Sequence, residues 1–593
     1  MMIIARVFPV SLARHPSKQV FRGFLSLRPT PKRSTLFSPS RGRRWGLVLG
    51  TVLTTSAIAL QTAVYADSVD NEEGPVERKP TPLSSLVRSY VVYTACSIPG
   101  MVDWSPTILS TLMSVPVVKR ITEAVVRITF FDQFVGGESA EGTLPVLEDL
   151  RKENKGCILA YSVEVDESEA AGAAKKQEVP AYKRIVQEMI HSIDVAADFE
   201  EKHASASGVR GTWIAVKLTA MLPNAQSLIN LSKHLVDTRP TVPSVVPFPG
   251  APHLTDLDVL ESPTIQGTLL TERDIIDLRN LYADLIKVCT RAQERGIRLL
   301  IDAEYSWYQP AIDAFTLALM RQFNKLPNDD TSPSSNFQPL IYATFQAYLR
   351  RTPAYVAQSL ADARAGGYAL GIKLVRGAYY PHETQAHASH TSEDAAKKHS
   401  SLSICPDLDP PVWATKSETD HSYNSSVKVI LDAVVKDMEQ NRPSTRKVSW
   451  LSFLKKEQRV GPGSAPLTIG VLFGSHNWES QKLILEELVN RGLATVEGPT
   501  ENGETIVRVG DEVAPRVTVA QLYGMKDALT NYIVDRTRSS SPFVVKYIPY
   551  GTLVEVMPYL SRRAIENKSV LGNGTAEEER RRALEEMKKR LLG

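Results

Sequence analysis

The sequence predicts an α/β fold: a distorted (β/α)8 TIM-like barrel with an N-terminal helical region. Three observations lead there. Short, apolar, β-branched runs recur eight times, at 157–165, 213–220, 298–304, 340–348, 369–376, 468–475, 516–523 and 543–549. Helix-length stretches separate them, which indicates a parallel sheet covered on both faces. Such an eightfold alternation closes most naturally into a barrel. Finally, polar side chains stand at the C-terminal ends of these runs, where the loops of a barrel build its site.

The elements follow in order. From Met1 to Trp45 there is no Asp or Glu but ten Lys or Arg, with many serines, which is the composition of a mitochondrial transit peptide. Residues 46–66 run uncharged for about a membrane-spanning length, diluted by threonines. They read either as an inner-membrane anchor or as a sorting segment removed on import. Residues 67–85 are polar and proline-bearing, a linker. A helical pattern occupies 86–151, with apolar runs around Val91, Ile108, Leu112 and Val125 and a loop at Phe134–Glu138. The barrel then spans 152–572, and residues 573–593 form a charged C-terminal helix. Inserts at 167–176, 238–264, 327–336, 381–411 and 441–466 read as surface excursions.

Composition narrows the function. Of 593 residues 43% are hydrophobic and 23% charged, enough apolar material for a large core. Net charge is +3, yet beyond residue 45 acidic residues outnumber basic ones, so no nucleic-acid partner is inferred. The four cysteines lie far apart without a CxxC pair, which argues against a disulfide scaffold or a zinc site.

The strand ends offer Lys217, Asp302, Glu304, Gln346, Lys373, Arg376, Ser475, His476, Gln521 and Tyr547. After the last strand, Tyr559, Arg562, Arg563 and Glu566 stand at i, i+3, i+4 and i+7, on one helical face. Two guanidiniums aimed at one spot suit a planar carboxylate. The same pattern also describes a solvated basic face with Glu566 as its partner. No metal arrangement, GxSxG elbow, P-loop or GxGxxG after the first strand is present. Cations and aromatics without an obvious nucleophile suit an anionic, planar ligand and chemistry carried by an organic cofactor.

Taken in order, Ala215–Ala220 (AVKLTA), Ile301–Glu304 (IDAE), Gln346–Tyr348 (QAY), Ile372–Tyr379 (IKLVRGAY), Ser475–Asn477 (SHN), Gln521–Met525 (QLYGM), Tyr547 and Tyr559–Arg563 (YLSRR) resemble the proline dehydrogenase family, flavoenzymes on a distorted (β/α)8 barrel. The resemblance covers about 130–572. It implies FAD as cofactor and L-proline as substrate, oxidised to Δ1-pyrroline-5-carboxylate, with electrons passing to ubiquinone or another membrane quinone at the inner mitochondrial membrane. It implies that Arg562 and Arg563 clamp the substrate carboxylate with Lys217 as a third cation. Asp302 fixes that cluster, and Leu522, Tyr547 and Tyr559 wall the ring. Gln346, Lys373, Val375, Gly377, Ala378, His476 and Glu566 fall where the family contacts FAD, as do Lys416 and Thr419 in the insert after strand five. Where some relatives carry arginine, Lys373 keeps the charge but not the fork geometry. Nothing downstream resembles an aldehyde dehydrogenase domain, so a single activity is expected. Two alternatives stand beside this reading: oxidation of hydroxyproline on the same scaffold, and a catalytically silent barrel acting as a proline-binding or membrane-associated scaffold.

Overall fold

The computed structural model describes residues 81–98, 100, 104, 108, 111–112, 114–162, 180–203, 208–239, 246–261, 270–327, 337–392, 401–441, 468–499, 503–567 and 575–592. The expected leader, the anchor or sorting segment, residues 67–80 of the linker, the insert at 167–176 and all but the first residue of the inserts at 327–336 and 441–466 lie outside them. Among the described residues no helix is long and apolar enough to cross a membrane.

Helices α1 (Leu83–Cys96), α2 (Pro116–Val126) and α3 (Leu144–Lys152) precede the barrel, with a π-helical turn at Arg127–Phe131. There follow β1 (Lys155–Tyr161), α4 (Ala181–Lys202), β2 (Thr212–Val216), α5 (Gln226–Thr238), α6 (Glu272–Arg295), β3 (Arg298–Ile301), α7 (Gln309–Phe323), β4 (Ile341–Gln346), α8 (Thr352–Gly366) and β5 (Leu370–Val375). The second half runs α9 (Tyr380–Thr391), α10 (Lys416–Asn441), β6 (Ile469–Gly474), α11 (Trp478–Asn490), β7 (Ala494–Pro499), β8 (Thr505–Val509), β9 (Val517–Leu522), α12 (Asp527–Arg536), β10 (Thr537–Arg538), β11 (Val544–Tyr550), α13 (Leu553–Asn567) and α14 (Thr575–Leu592). The closed parallel barrel has the order β1-β11-β9-β6-β5-β4-β3-β2. Each of its eight strands lies within or overlaps one of the eight expected runs. β7, β8 and β10 form a separate three-stranded sheet. The sequence reading missed it because β7 is exposed along most of its length and carries no apolar face.

Strand alternation sorts the side chains into two cores. Cys157 and Leu159 of β1, Leu299 and Ile301 of β3, and Leu370, Ile372 and Leu374 of β5 pack outward against the helices. Ile158, Ala160, Trp213, Ala215, Leu300, Tyr342, Leu472, Ala520 and Val545 fill the lumen. A third cluster lies apart from the barrel wall. Val92, Tyr93 and Cys96 of α1, Phe131 and Phe134, Met525, Leu553, Val556, Tyr559, Leu560 and Ala564 of α13, and Ala576 of α14 bury one another. Gly524 is the tightest point of this cluster. At φ +69 it lies so close to the Gln133 carbonyl that a Cβ would sit 1.6 Å from its oxygen, so only glycine fits. Its own carbonyl accepts from the Tyr93 hydroxyl at 2.9 Å and the Gln133 amide at 2.8 Å.

Two inserts are more than surface excursions. In the first, Arg239 grips Asp256 with three contacts of 2.6–3.1 Å, and Phe248 and Leu260 are buried. In the second, α9 buries Glu383 and His387, and Cys405 beyond it is buried too. Polarity misled the reading, because these polar groups are satisfied internally.

Candidate active site

The strand parity that fills the lumen also aims the functional side chains. Lys217, Asp302, Leu522 and Tyr547 each stand two residues beyond a lumen residue of the same strand line, namely Ala215, Leu300, Ala520 and Val545. Gln346 and His476 stand four beyond Tyr342 and Leu472. Period-two geometry therefore turns all six toward the barrel axis at the C-terminal mouth. Lys373, two residues beyond Gly371 of β5, joins them.

There a charged chain crosses the mouth. The buried Lys373 ammonium pairs with Asp302, whose other carboxylate oxygen accepts from the Tyr547 hydroxyl at 2.8 Å. The same ammonium lies 5.1 Å from the Tyr547 ring centroid. Burial and the adjacent Asp302 carboxylate push the Tyr547 phenol well above its ordinary pKa, so it stays a donor. Beside it, Glu304 accepts from the Thr219 hydroxyl at 2.5 Å and the Thr219 amide at 3.2 Å, while the Gln346 side chain donates to the Glu304 carbonyl at 2.9 Å. Burial raises the Glu304 pKa, opposed by those Thr219 bonds and by the nearby Lys217 charge.

Helix α13 supplies the other wall. Arg563 is buried and forked onto Glu566 at 2.5 and 2.6 Å, with its guanidinium 4.9 Å from the Tyr559 ring. Arg562 lies over the Tyr379 ring at 5.4 Å. The Tyr559 phenol marks where these groups meet. Burial pushes its pKa up to about 12; the Arg563 charge acts to lower it, the Glu566 charge to raise it, and the charges of Arg562 and Lys217 to lower it. Three cations and one carboxylate thus act on one buried hydroxyl, which has no hydrogen-bond partner among the described residues.

His476 is neutral. Burial, then the charges of Lys546, Arg563 and Lys526, hold its pKa down to about 3, and its Nε2 accepts the Leu522 amide proton at 2.9 Å. The ring proton therefore belongs on Nδ1. Gly377 adopts φ +121, and a Cβ there would lie 2.4 Å from the Tyr348 ring. Gly377 and Ala378 are exposed, beyond the half-buried Val375. Lys416 and Thr419 are exposed on the first turn of α10, where Lys416 pairs with Asp420 at 2.5 Å. Asp420 also holds Arg376 at 2.8 Å, tying α10 to the end of β5.

The sequence reading gave no role to Tyr305, Tyr379 or Glu383. Tyr379 lay inside a quoted motif, Tyr305 directly follows the IDAE motif, and Glu383 fell in a stretch read as surface. A cavity of about 760 Å³ lies away from the mouth, between the 246–254 loop, α7 and α8.

The described family of proline dehydrogenases matches this chain over residues 145–575. Proline dehydrogenase 2, mitochondrial, of Arabidopsis thaliana is 28% identical over 522 residues, covering 86% of this chain and 88% of that one. A probable mitochondrial proline dehydrogenase of Schizosaccharomyces pombe is 26% identical over 543 residues, covering 89% and 92%. Hydroxyproline dehydrogenase of Rattus norvegicus is 26% identical over 521 residues, covering 86% and 92%.

Proposed function

The chain belongs to the proline dehydrogenase family, and from that premise we propose that it is a mitochondrial, FAD-dependent enzyme oxidising L-proline to Δ1-pyrroline-5-carboxylate. The observation that carries this reading is the arginine pair of α13 at the barrel mouth, with the buried Arg563 guanidinium 4.9 Å from the Tyr559 ring and Arg562 5.4 Å from the Tyr379 ring. Two guanidiniums on one helical face, with the Lys217 charge added, select a carboxylate. They also make a nearby amine less basic through like charge, which favours the free-base form that oxidation requires.

The donor set suits a flavin nucleotide. His476 is a neutral Nδ1 donor, Lys373 and Gln346 line the lumen side, and the exposed Gly377–Ala378 edge offers backbone with almost no side chain in the way. These residues, with Val375 and Glu566, would hold the cofactor, with Lys416 and Thr419 at its outer end. FAD, when bound, supplies the hydride acceptor, and a membrane quinone takes the electrons onward.

The chain's own residues do the positioning. Arg562 and Arg563 fix the carboxylate, Lys217 adds a third charge, and Asp302 orients Lys373 and Tyr547. Tyr547, Tyr559 and Leu522 confine the ring, so the carbon next to nitrogen is presented in one orientation. Such orientation contributes up to roughly 7–11 kcal/mol in favourable systems. As the C–H bond breaks with its electron pair, the nitrogen lone pair forms the C=N bond.

Anaerobic titration of the yellow protein with L-proline and with 4-hydroxyproline tests the reading. Bleaching by proline is the expected result, and a protein that takes up no flavin would overturn it. Proline is favoured over hydroxyproline because Tyr547 occupies the space where the extra hydroxyl projects. Tyr547→Ser is expected to raise relative kcat/KM on hydroxyproline; an unchanged ratio of the two substrates sinks that assignment.

A further inference from the structure

Glu383 lies on the first turn of α9, in a segment that reads as polar surface, yet its side chain is almost wholly buried. Its Oε1 accepts the Ser306 amide proton at 2.7 Å and its Oε2 accepts the Ser306 hydroxyl at 2.6 Å. The Tyr348 hydroxyl makes a longer contact at 3.4 Å. One carboxyl therefore joins the loops after β3 and β4 to the helix after β5.

What it joins is adjacent to the proposed clamp. Ser306 directly follows Tyr305, and Tyr379 stands one helical turn before Glu383, with its carbonyl accepting the Glu383 amide proton at 3.0 Å. Tyr305 and Tyr379 pack with ring centroids 4.3 Å apart, and Trp307 stacks on the far side of Tyr305 at 4.4 Å. Arg562 lies 5.4 Å from the Tyr379 centroid. A guanidinium over an aromatic face is held by that face, so the direction of Arg562 depends on where Tyr379 stands.

We propose that Glu383 is a positioning residue for the substrate clamp: its hydrogen bonds to Ser306 lock Tyr379 against Tyr305 and so fix the shelf on which Arg562 rests. This rests on the proline dehydrogenase reading above.

Burial pushes the Glu383 carboxyl up to about 7. The joint survives protonation, because a neutral acid still accepts from the Ser306 amide and donates to a Ser306 hydroxyl that has turned. Glutamine reproduces that neutral form, with its carbonyl accepting and its NH2 donating. Alanine reproduces neither.

The test uses the full-length holoenzyme, with kinetics expressed per bound flavin. It is paired with calorimetric binding of a five-membered cyclic ether carboxylate, which has the shape of proline but no amine to oxidise. Glu383→Ala is expected to raise the proline KM and weaken binding of the ether carboxylate by about tenfold each, with kcat per flavin within about twofold. Glu383→Gln is expected to stay within about twofold of the parent in all three. If Glu383→Ala does not fold, Ser306→Ala, which removes one bond of the joint, is expected to raise KM about threefold. A Glu383→Ala or Ser306→Ala enzyme with parental KM and parental binding of the ether carboxylate overturns the inference, as does a Glu383→Gln enzyme as impaired as Glu383→Ala. Failure of the parent protein to oxidise proline overturns instead the functional reading on which the inference rests.

Discussion

The two walls of the candidate site are held in different ways. On the barrel wall, Lys373, Asp302, Tyr547, Gln346 and His476 follow strands whose register is fixed by neighbours on both sides, and their partners lie on other strand lines of the barrel. On the opposite wall, Tyr559, Arg562 and Arg563 ride on α13, which packs on a separate cluster built from α1, the π-helical turn, the loop after β9 and α14. Barrel closure over-determines the first wall. The second depends on packing between segments distant in sequence. The proposed cofactor contacts are therefore anchored mainly by the barrel, and the proposed substrate clamp mainly by the appended helices.

Breaking either side should separate these roles. The largest effect is expected at the clamp itself. Arg563→Ala removes one guanidinium and leaves Glu566 unpaired, and should weaken proline binding by about 2–5 kcal/mol, read from KM at full flavin occupancy. Next comes the core beneath α13. Leu560→Ala should lower unfolding stability by about 2–5 kcal/mol and raise KM, with flavin retained. The matching cut in the lumen, Leu472→Ala, should lose flavin as well. Equal flavin loss in both variants would erase the distinction between the walls.

A smaller effect is expected where the appended helices meet the barrel loop. Tyr93→Phe deletes one hydrogen bond to the Gly524 carbonyl and should cost about 1 kcal/mol in chemical denaturation. A cost near zero would show that the loop is held by packing alone.

The smallest is the response of stability to pH, because buried His476 opposes the buried carboxyls Glu383 and Asp437, the latter pushed up to about 6. An unfolded histidine takes up its proton near 6.5, whereas His476 resists it down to about 3, so its contribution is lost as pH falls from 6.5. An unfolded glutamate releases its proton near 4.5, whereas Glu383 retains it up to about 7, so its contribution is lost as pH rises from 4.5. Between about pH 4.5 and 6.5 the slopes act in opposite directions. His476→Gln should expose the Glu383 slope, with the melting temperature falling as pH rises; a curve that tilts the other way contradicts the pair.

The barrel was legible because its strands obey one rule along the whole chain. Continuous apolar runs such as 369–376 have few alternatives, and period two then fixes which way Lys373 or Asp302 points. The arginine pair was legible as a helical face, but not the core behind it. Nothing in the spacing of Val92, Phe131 and Met525 says that they meet. Glu383 was illegible for a related reason: a carboxylate in a polar stretch looks solvated until the Ser306 amide and hydroxyl are found against it. The sheet of β7, β8 and β10 was missed because β7 is mostly exposed, β10 is two residues long and β8 buries only Val507 and Val509.

The order in which the chain closes has a consequence for assembly. Lys155 of β1 pairs with Val544 of β11, and the Arg590 guanidinium donates to the Thr81 carbonyl. Contacts this distant in sequence form only after most of the chain is available, and loop closure over such spans is slow. During synthesis or passage across a membrane, which deliver the chain progressively, the arginine helix arrives after every strand of the barrel. Until β11 is available, β1 and β9 lack their shared neighbour, and each presents an open edge to other chains. Premature termination anywhere before residue 544 leaves the arginine pair absent and that seam open, so such a fragment has an aggregation-prone edge as well as an incomplete site.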